Sequence, residues 1–273
     1  MKKYNHLFAL LGVLLLGLTM LFSGCSKKED TKLTVQQTVQ EKSWEKVKEK
    51  GEIVVGLCAE YAPFESRNEK NGEIEGFDVD IANALAQELG VKVKIVDAQW
   101  ESLLGGVGKG DYDILVTCMA EKEAASGNVN MSAPYYKLND IIVVNSGNNT
   151  IKSADDLKGQ VVGVQTQTSS EQAVDKLKDL KEVKRYNRTP EAFIDLQSNR
   201  IDAVVVGYAY AATQLKNDTT NIKIVDSPVD TSNIVMVMKK GNDSLTSKIN
   251  EALSKIKQNG KYDAALNKWL KIN

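Results

Sequence analysis

From Ile53 onward, short apolar runs alternate with segments of helical periodicity, and this rhythm constrains the fold more than any other feature. Apolar runs bounded by glycine and polar turns read as buried strands. Strands separated by helices argue for α/β units built around mostly parallel sheet. The first stretch reads as strands near 53–57, 92–96 and 113–117, with helices near 78–89, 100–108 and 121–127. The helix at 78–89 carries the clearest signature. Val79, Ile81, Ala82, Leu85, Ala86 and Leu89 keep helical spacing, Asp78 and Asp80 suit its positive N-terminus, and Gly90 can close it. Beyond the apolar run at 141–144, strands are expected at 161–165, 183–186, 201–206, 222–225 and 234–238. Helices are expected at 170–177 and at 189–198, with Pro190 at a favoured first position, and the stretch 242–270 is expected to be helical.

The N-terminus reads as a targeting segment. Lys2 and Lys3 precede an apolar run at 7–18 that is too short for a stable spanning helix. Phe22-Ser23-Gly24-Cys25 follows and resembles a bacterial lipobox, which implies cleavage before Cys25 and a diacylglycerol on its thiol. An ordinary secretory signal with a chance cysteine is the other reading. Residues 1–24 are expected to be a lipoprotein signal peptide and 25–43 a polar, flexible tether. What remains suffices for two lobes of ~100 residues each. The formal net charge of −1, with no basic patch, argues against a nucleic-acid partner. The single histidine, His6, lies in the expected signal. The body therefore has no material for Ser-His-Asp or Cys-His chemistry or for a histidine-ligated metal, and no cofactor is expected.

Several phrases stand in order along the body: Tyr61-Ala62-Pro63-Phe64-Glu65, Gly76-Phe77-Asp78-Val79-Asp80-Ile81-Ala82, and Tyr112-Asp113. Further on come Ala154-Asp155-Asp156-Leu157-Lys158-Gly159, Lys261-Tyr262-Asp263 and Lys268-Trp269-Leu270. Together they resemble the type 2 periplasmic binding proteins of ABC importers, specifically the polar amino-acid group. The resemblance implies an α/β, two-lobed fold, each lobe a mostly parallel sheet flanked by helices, joined by two crossover strands. Lobe 1 is expected at 44–140 and 231–273, and lobe 2 at 141–230. It also implies a non-enzymatic, extracytoplasmic solute-binding protein, monomeric and lipid-anchored to the bacterial cell membrane. Such a protein closes on a small polar ligand, an amino acid or a derivative, and docks on a transmembrane permease. Two alternatives stay open: a sensor or interaction protein with a repurposed cleft, and a dehydratase-like enzyme on the same fold.

The resemblance places ligand contacts in the loops after the strands. These are Cys58, Glu60, Tyr61 and Phe64 after the first strand, Trp100 after the second, and Thr117, Cys118, Met119 and Lys122 after the third. In the second lobe they are Gln165, Gln167, Thr168 and Ser169, then Gly207 and Tyr208. Flat faces of Tyr61 and Trp100 suit an apolar or cationic group, whereas Phe64 and Trp100 can equally belong to a lobe core. Thr168 and Ser169 precede a helix, so they can face an anion, cap that helix, or do both.

Two charges of the family pattern are absent. The arginine that clamps an α-carboxylate falls at Ala125, and the aspartate that meets an α-amino group falls at Gly207. The four arginines, Arg67, Arg185, Arg188 and Arg200, are all distant from Ala125 in sequence. Either Lys122 and Glu60 supply the charges, or the ligand is not an ordinary free α-amino acid. Glu60, Glu121, Tyr61, Trp100, Tyr208 and Tyr210 would suit a cationic or aromatic ligand. Cys58 and Cys118 follow strands expected to be neighbours, so a disulfide, two unrelated buried thiols, and a thiol-based metal or redox site are all open.

Overall fold

The computed structural model describes residues 41–216 and 221–271. The expected signal peptide, the lipidation site Cys25 and the tether as far as residue 40 lie outside the described residues. Residues 41–43 do not behave as a tether. The Glu41 carboxylate accepts the backbone N–H of Ser244 at 2.7 Å, and Ser43 opens the helix Ser43–Lys50.

Two five-stranded sheets form the two lobes. The first has the spatial order Lys92–Asp97, Glu52–Leu57, Ile114–Leu115, Val237–Lys239, Val129–Met131. Its first three strands are parallel, as expected of βα units, and Val237–Lys239 runs antiparallel to both its neighbours. The second has the order Glu182–Tyr186, Val161–Gln165, Ala203–Gly207, Tyr136–Asn145, Ile222–Ile234. Again three strands are parallel, and the last two close the sheet antiparallel. The chain enters the second sheet along Tyr136–Asn145 and leaves it along Ile222–Ile234, paired side by side. These are the two crossover strands.

The helix Phe77–Leu89 packs Ile81, Ala82 and Leu85 into the first lobe's core and ends on Gly90, whose φ of 71° is left-handed. At its start, Gly76 has φ 142°, and a Cβ there would lie 2.1 Å from the Phe64 carbonyl oxygen. The backbone can pass Phe64 only with no side chain, which is the physical content of the Gly76-Phe77-Asp78 phrase.

Several elements depart from the sequence reading. The third strand is only Ile114–Leu115, and beyond it Thr117 and Cys118 line the cleft. Residues 100–108 divide into a 3-10 turn, Trp100–Ser102, and a helix, Leu103–Lys109. The helix expected at 121–127 is the single turn Glu121–Ala124. Residues 222–225 and 234 belong to one long strand, interrupted by a register shift between Val225 and Asp230. The expected helix at 242–270 is two helices, Asp243–Gln258 and Lys261–Trp269, because Gly260 takes φ 80° between them. Tyr208–Leu215 is a helix that the sequence reading did not foresee.

Candidate ligand-binding cleft

A cavity of about 660 Å³ of atom-free space, partly open to solvent, lies between the two lobes. It sits beyond the carboxyl ends of parallel strands in both sheets, where the chain turns out of each strand and presents loop side chains. From the first lobe come Cys58, Glu60, Tyr61, Glu65, Trp100, Thr117, Cys118 and Glu123. From the second come Gln165, Thr168, Ser169, Ser170 and Thr189, with Val204, Val205 and Val206 at the back.

Local geometry explains how these side chains are presented. The Glu60 N–H donates to the Cys58 carbonyl at 2.7 Å, and Glu60 and Tyr61 pair with Ser66 and Glu65 in a small antiparallel sheet. This turn swings Tyr61 across the cleft. Its ring stacks on Tyr210 of the second lobe, with centroids 4.8 Å apart and planes 16° apart, and its hydroxyl accepts the Gly207 N–H at 3.2 Å. Thr117 accepts the Cys58 N–H at 3.1 Å and donates to Glu65 Oε1 at 2.8 Å, so the first and third strand ends are tied by one hydroxyl. On the facing lobe the Thr168 hydroxyl accepts the Glu171 N–H at 3.2 Å, an ordinary N-cap for the helix Ser169–Val174.

Further contacts cross the rim. Arg188 Nε donates to Glu60 Oε2 at 2.6 Å, Trp100 Nε1 to the Gln167 carbonyl at 3.3 Å, and Thr166 Oγ1 to Glu101 Oε1 at 3.2 Å. The deepest contact is made by Glu123. One of its carboxylate oxygens accepts the Ala120 N–H and the other accepts the Ser169 N–H of the opposite lobe.

Burial dominates the electrostatics. It pushes Glu123 up to about 8, against the pull of the Ala120 and Ser169 N–H groups. Burial also raises Glu65 and Asp78, which are close enough to share a proton. Asp78 receives the Tyr135 hydroxyl and the Cys118 N–H, whereas Glu65 receives only Thr117. The donors favour charge on Asp78 and the proton on Glu65. Cys58 is pushed up to about 12 by burial and by the charges of Glu65 and Glu60, and Cys118 is raised well above the ordinary thiol value by burial and Asp78. Both cysteines are free thiols, and at neutral pH they are protonated and weakly nucleophilic.

Of the residues expected to contact ligand, Cys58, Glu60, Tyr61, Trp100, Thr117, Cys118, Gln165, Thr168 and Ser169 converge on this cavity. Six lie elsewhere. Phe64 is fully buried in the first lobe's core against Phe77 and Tyr136. Met119 is buried in a second apolar cluster of that lobe. The Lys122 ammonium is 2.6 Å from the Asp230 carboxylate and does not line the cavity. Gln167 takes φ 59°, with an exposed side chain; its carbonyl accepts from Trp100, and its N–H donates to Glu171 Oε2 at 2.6 Å. Gly207 contributes a backbone N–H to Tyr61, and Tyr208 is 41% exposed on the surface. Glu121, too, is exposed, and it accepts from Asn233 instead of facing the cleft.

The sequence reading missed Glu65, Glu123 and Arg188. Glu65 was visible, because it closes the phrase that begins at Tyr61. Glu123 stands two places before Ala125, where attention fell on a missing arginine and not on an acid that is present. Arg188 had no local signal, since its partner Glu60 is 128 positions away.

Comparison with known proteins places this cleft in context. The family described as bacterial extracellular solute-binding proteins, family 3, matches residues 53–272. The L-cystine-binding protein TcyJ of Escherichia coli (strain K12) is 29% identical over 238 residues, covering 87% of this chain and 89% of that protein. An ancestral arginine-binding protein bound to arginine superposes with a TM-score of 0.75 at 37% identity, over 80% of this chain and 98% of that one. The ancestral amino-acid-binding protein AncCDT-1, a precursor of cyclohexadienyl dehydratase, superposes with a TM-score of 0.77 at 33% identity, over 84% of this chain and all of that one.

Proposed function

We infer, from the premise that this chain belongs to the bacterial extracellular solute-binding proteins of family 3, that it is the ligand-capturing component of an amino-acid-type ABC importer. In this reading it closes its two lobes around a small polar ligand and presents the closed form to a transmembrane permease. The observation that carries the reading is the cavity between the lobes, walled by strand-end loops of both and crossed by side-chain contacts that hinge opening would break. Arg188 with Glu60, and Tyr61 with Gly207 and Tyr210, would form when the lobes meet and part when they separate. Cys25 would carry the lipid anchor, with the body tethered outside the membrane.

The chemistry of the wall favours capture over turnover. Its thiols are held protonated, and the body has no histidine to activate them.

A thermal-shift screen of the purified protein over amino acids, their derivatives, amines and short peptides tests the reading. A ligand that binds only the folded form stabilises it by about 2.7 kcal/mol at a hundredfold excess over Kd. At least one compound should raise the melting temperature in a concentration-dependent way. A panel without a single concentration-dependent shift would count against solute capture.

A further inference from the structure

We propose that this cleft takes an organic amine cation that carries no carboxylate. The inference rests on the solute-binding reading above and deepens it by naming the ligand class.

The first support is the charge of the wall. Glu60, Glu65 and Glu123 line the cavity, and among the described residues no lysine or arginine does. The nearest cations are engaged with acids: Arg188 at the rim with Glu60, and Lys122 with Asp230, each at 2.6 Å. A ligand carboxylate entering here would meet three carboxyl groups and no cationic side chain to offset its desolvation.

The second support is the occupant already present between the lobes. The Ser169 N–H, the donor that the second lobe aims across the cleft, is taken by the carboxylate of Glu123. The chain thus fills with its own acid the position where an external carboxylate would find a hydrogen-bond donor. On the opposite side, the Gly207 N–H is taken by Tyr61.

The third support is independent of the charge count. Glu65 is 1% exposed and lines the cavity, and its Oε2 meets no donor group other than the proton it can share with Asp78. Buried acceptors without donors are uncommon in native proteins. An ammonium or guanidinium supplies the missing donors and the missing positive charge together. Trp100 adds an indole to the same wall, a surface that attracts cations.

Charge balance follows directly. In the empty cleft, burial holds a proton on Glu65. When the cation enters, that proton leaves to solvent and the ligand's charge takes its place, so binding of the protonated amine releases a proton.

Matched pairs that differ only in the carboxylate test this: L-arginine with agmatine, L-lysine with cadaverine, and L-tyrosine with tyramine. Titration calorimetry of the purified protein in two buffers of unlike ionisation enthalpy reads affinity and proton release at once. The expected result is one amine that binds at least tenfold more tightly than its parent amino acid, with net proton release. Glu65→Gln, which copies the neutral acid but cannot ionise, should weaken that amine at least tenfold and abolish the proton release. Should Glu65→Gln fail to fold, the buffer comparison on the unaltered protein carries the same test. Parent amino acids that bind as well as or better than their amines in all three pairs would overturn the inference and leave the solute-binding reading intact. Equal affinity of Glu65→Gln for the amine would overturn it as well. Silence toward all three amines would overturn it too, and that silence together with silence across the wider thermal-shift panel would sink both readings.

Discussion

The hydroxyl of Tyr61 and the backbone of Gly207 occupy one another's space across the cleft. The N–H to hydroxyl distance is 3.2 Å, and a Cβ at position 207 would stand 2.6 Å from that hydroxyl and 2.9 Å from a methyl of Leu138. Gly207 is therefore demanded by close approach and not by backbone conformation. Gly207→Ala should cost about 1–3 kcal/mol in urea unfolding, the usual range for overpacking. Tyr61→Phe in the same chain removes the oxygen and should restore part of the loss. Strict additivity of the two substitutions would show that they do not share this contact.

The buried acids give stability a definite pH dependence. Glu123 is raised from the ordinary 4.5 to about 8, and Glu65 is raised as well, both chiefly by burial. Their native forms hold protons that the unfolded chain releases. The stability they contribute is complete below about pH 4.5 and is lost as pH rises through their native values. The melting temperature should therefore fall between pH 5 and about pH 8, with a slope of up to about 1.4 kcal/mol per pH unit for each such group. Glu123→Gln should flatten this slope. A melting temperature that climbs over the same range would contradict the assignment.

Phe64 separates a core role from a ligand role. It is fully buried, between Phe77 and Tyr136 and beside the ring of Tyr61. Phe64→Ala should destabilise the protein by about 3–5 kcal/mol, as large core truncations do. Trp100→Ala, at the partly exposed cavity wall, should cost much less stability and mainly reduce ligand affinity. Denaturant titrations of the two variants, read beside calorimetric affinities, distinguish the cases.

The two cleft thiols should be chemically silent. Cys58, raised to about 12, and Cys118, raised well above the ordinary thiol value, are buried and protonated at neutral pH. An aromatic disulfide reagent at pH 8 should leave both unmodified in the native protein and modify both in urea. An intact mass that rises by two hydrogens on reduction would instead reveal a bond between them.

Much of the fold was legible from Ile53 onward. Val79, Ile81, Ala82, Leu85 and Ala86 set a helix that ends where Gly90 allows, and the apolar runs read at 53–57, 161–165 and 201–206 lie in or overlap parallel strands. These are short-range properties, written in the spacing of neighbouring residues. The errors were of another kind. The break at Gly260 was visible in sequence but outweighed by the helical pattern on either side. The strand Ile222–Ile234 looked like two pieces because its register shifts midway against Tyr136–Asn145.

Sequence alone determined the strand–helix rhythm, the presence of two sheet-forming halves and the loops that would face a cleft. It also showed that Ala125 and Gly207 bring no charge. Tertiary structure decided which acids are buried and what each one meets. Glu123 reaches a backbone N–H 46 residues away, Arg188 reaches Glu60 across 128, and Tyr61 reaches Gly207 across 146. Pairing over such separations, and the loss of water that shifts an acid's proton affinity, depend on how the two lobes meet. No local pattern encodes that meeting, because the partners share no turn, no strand and no helix.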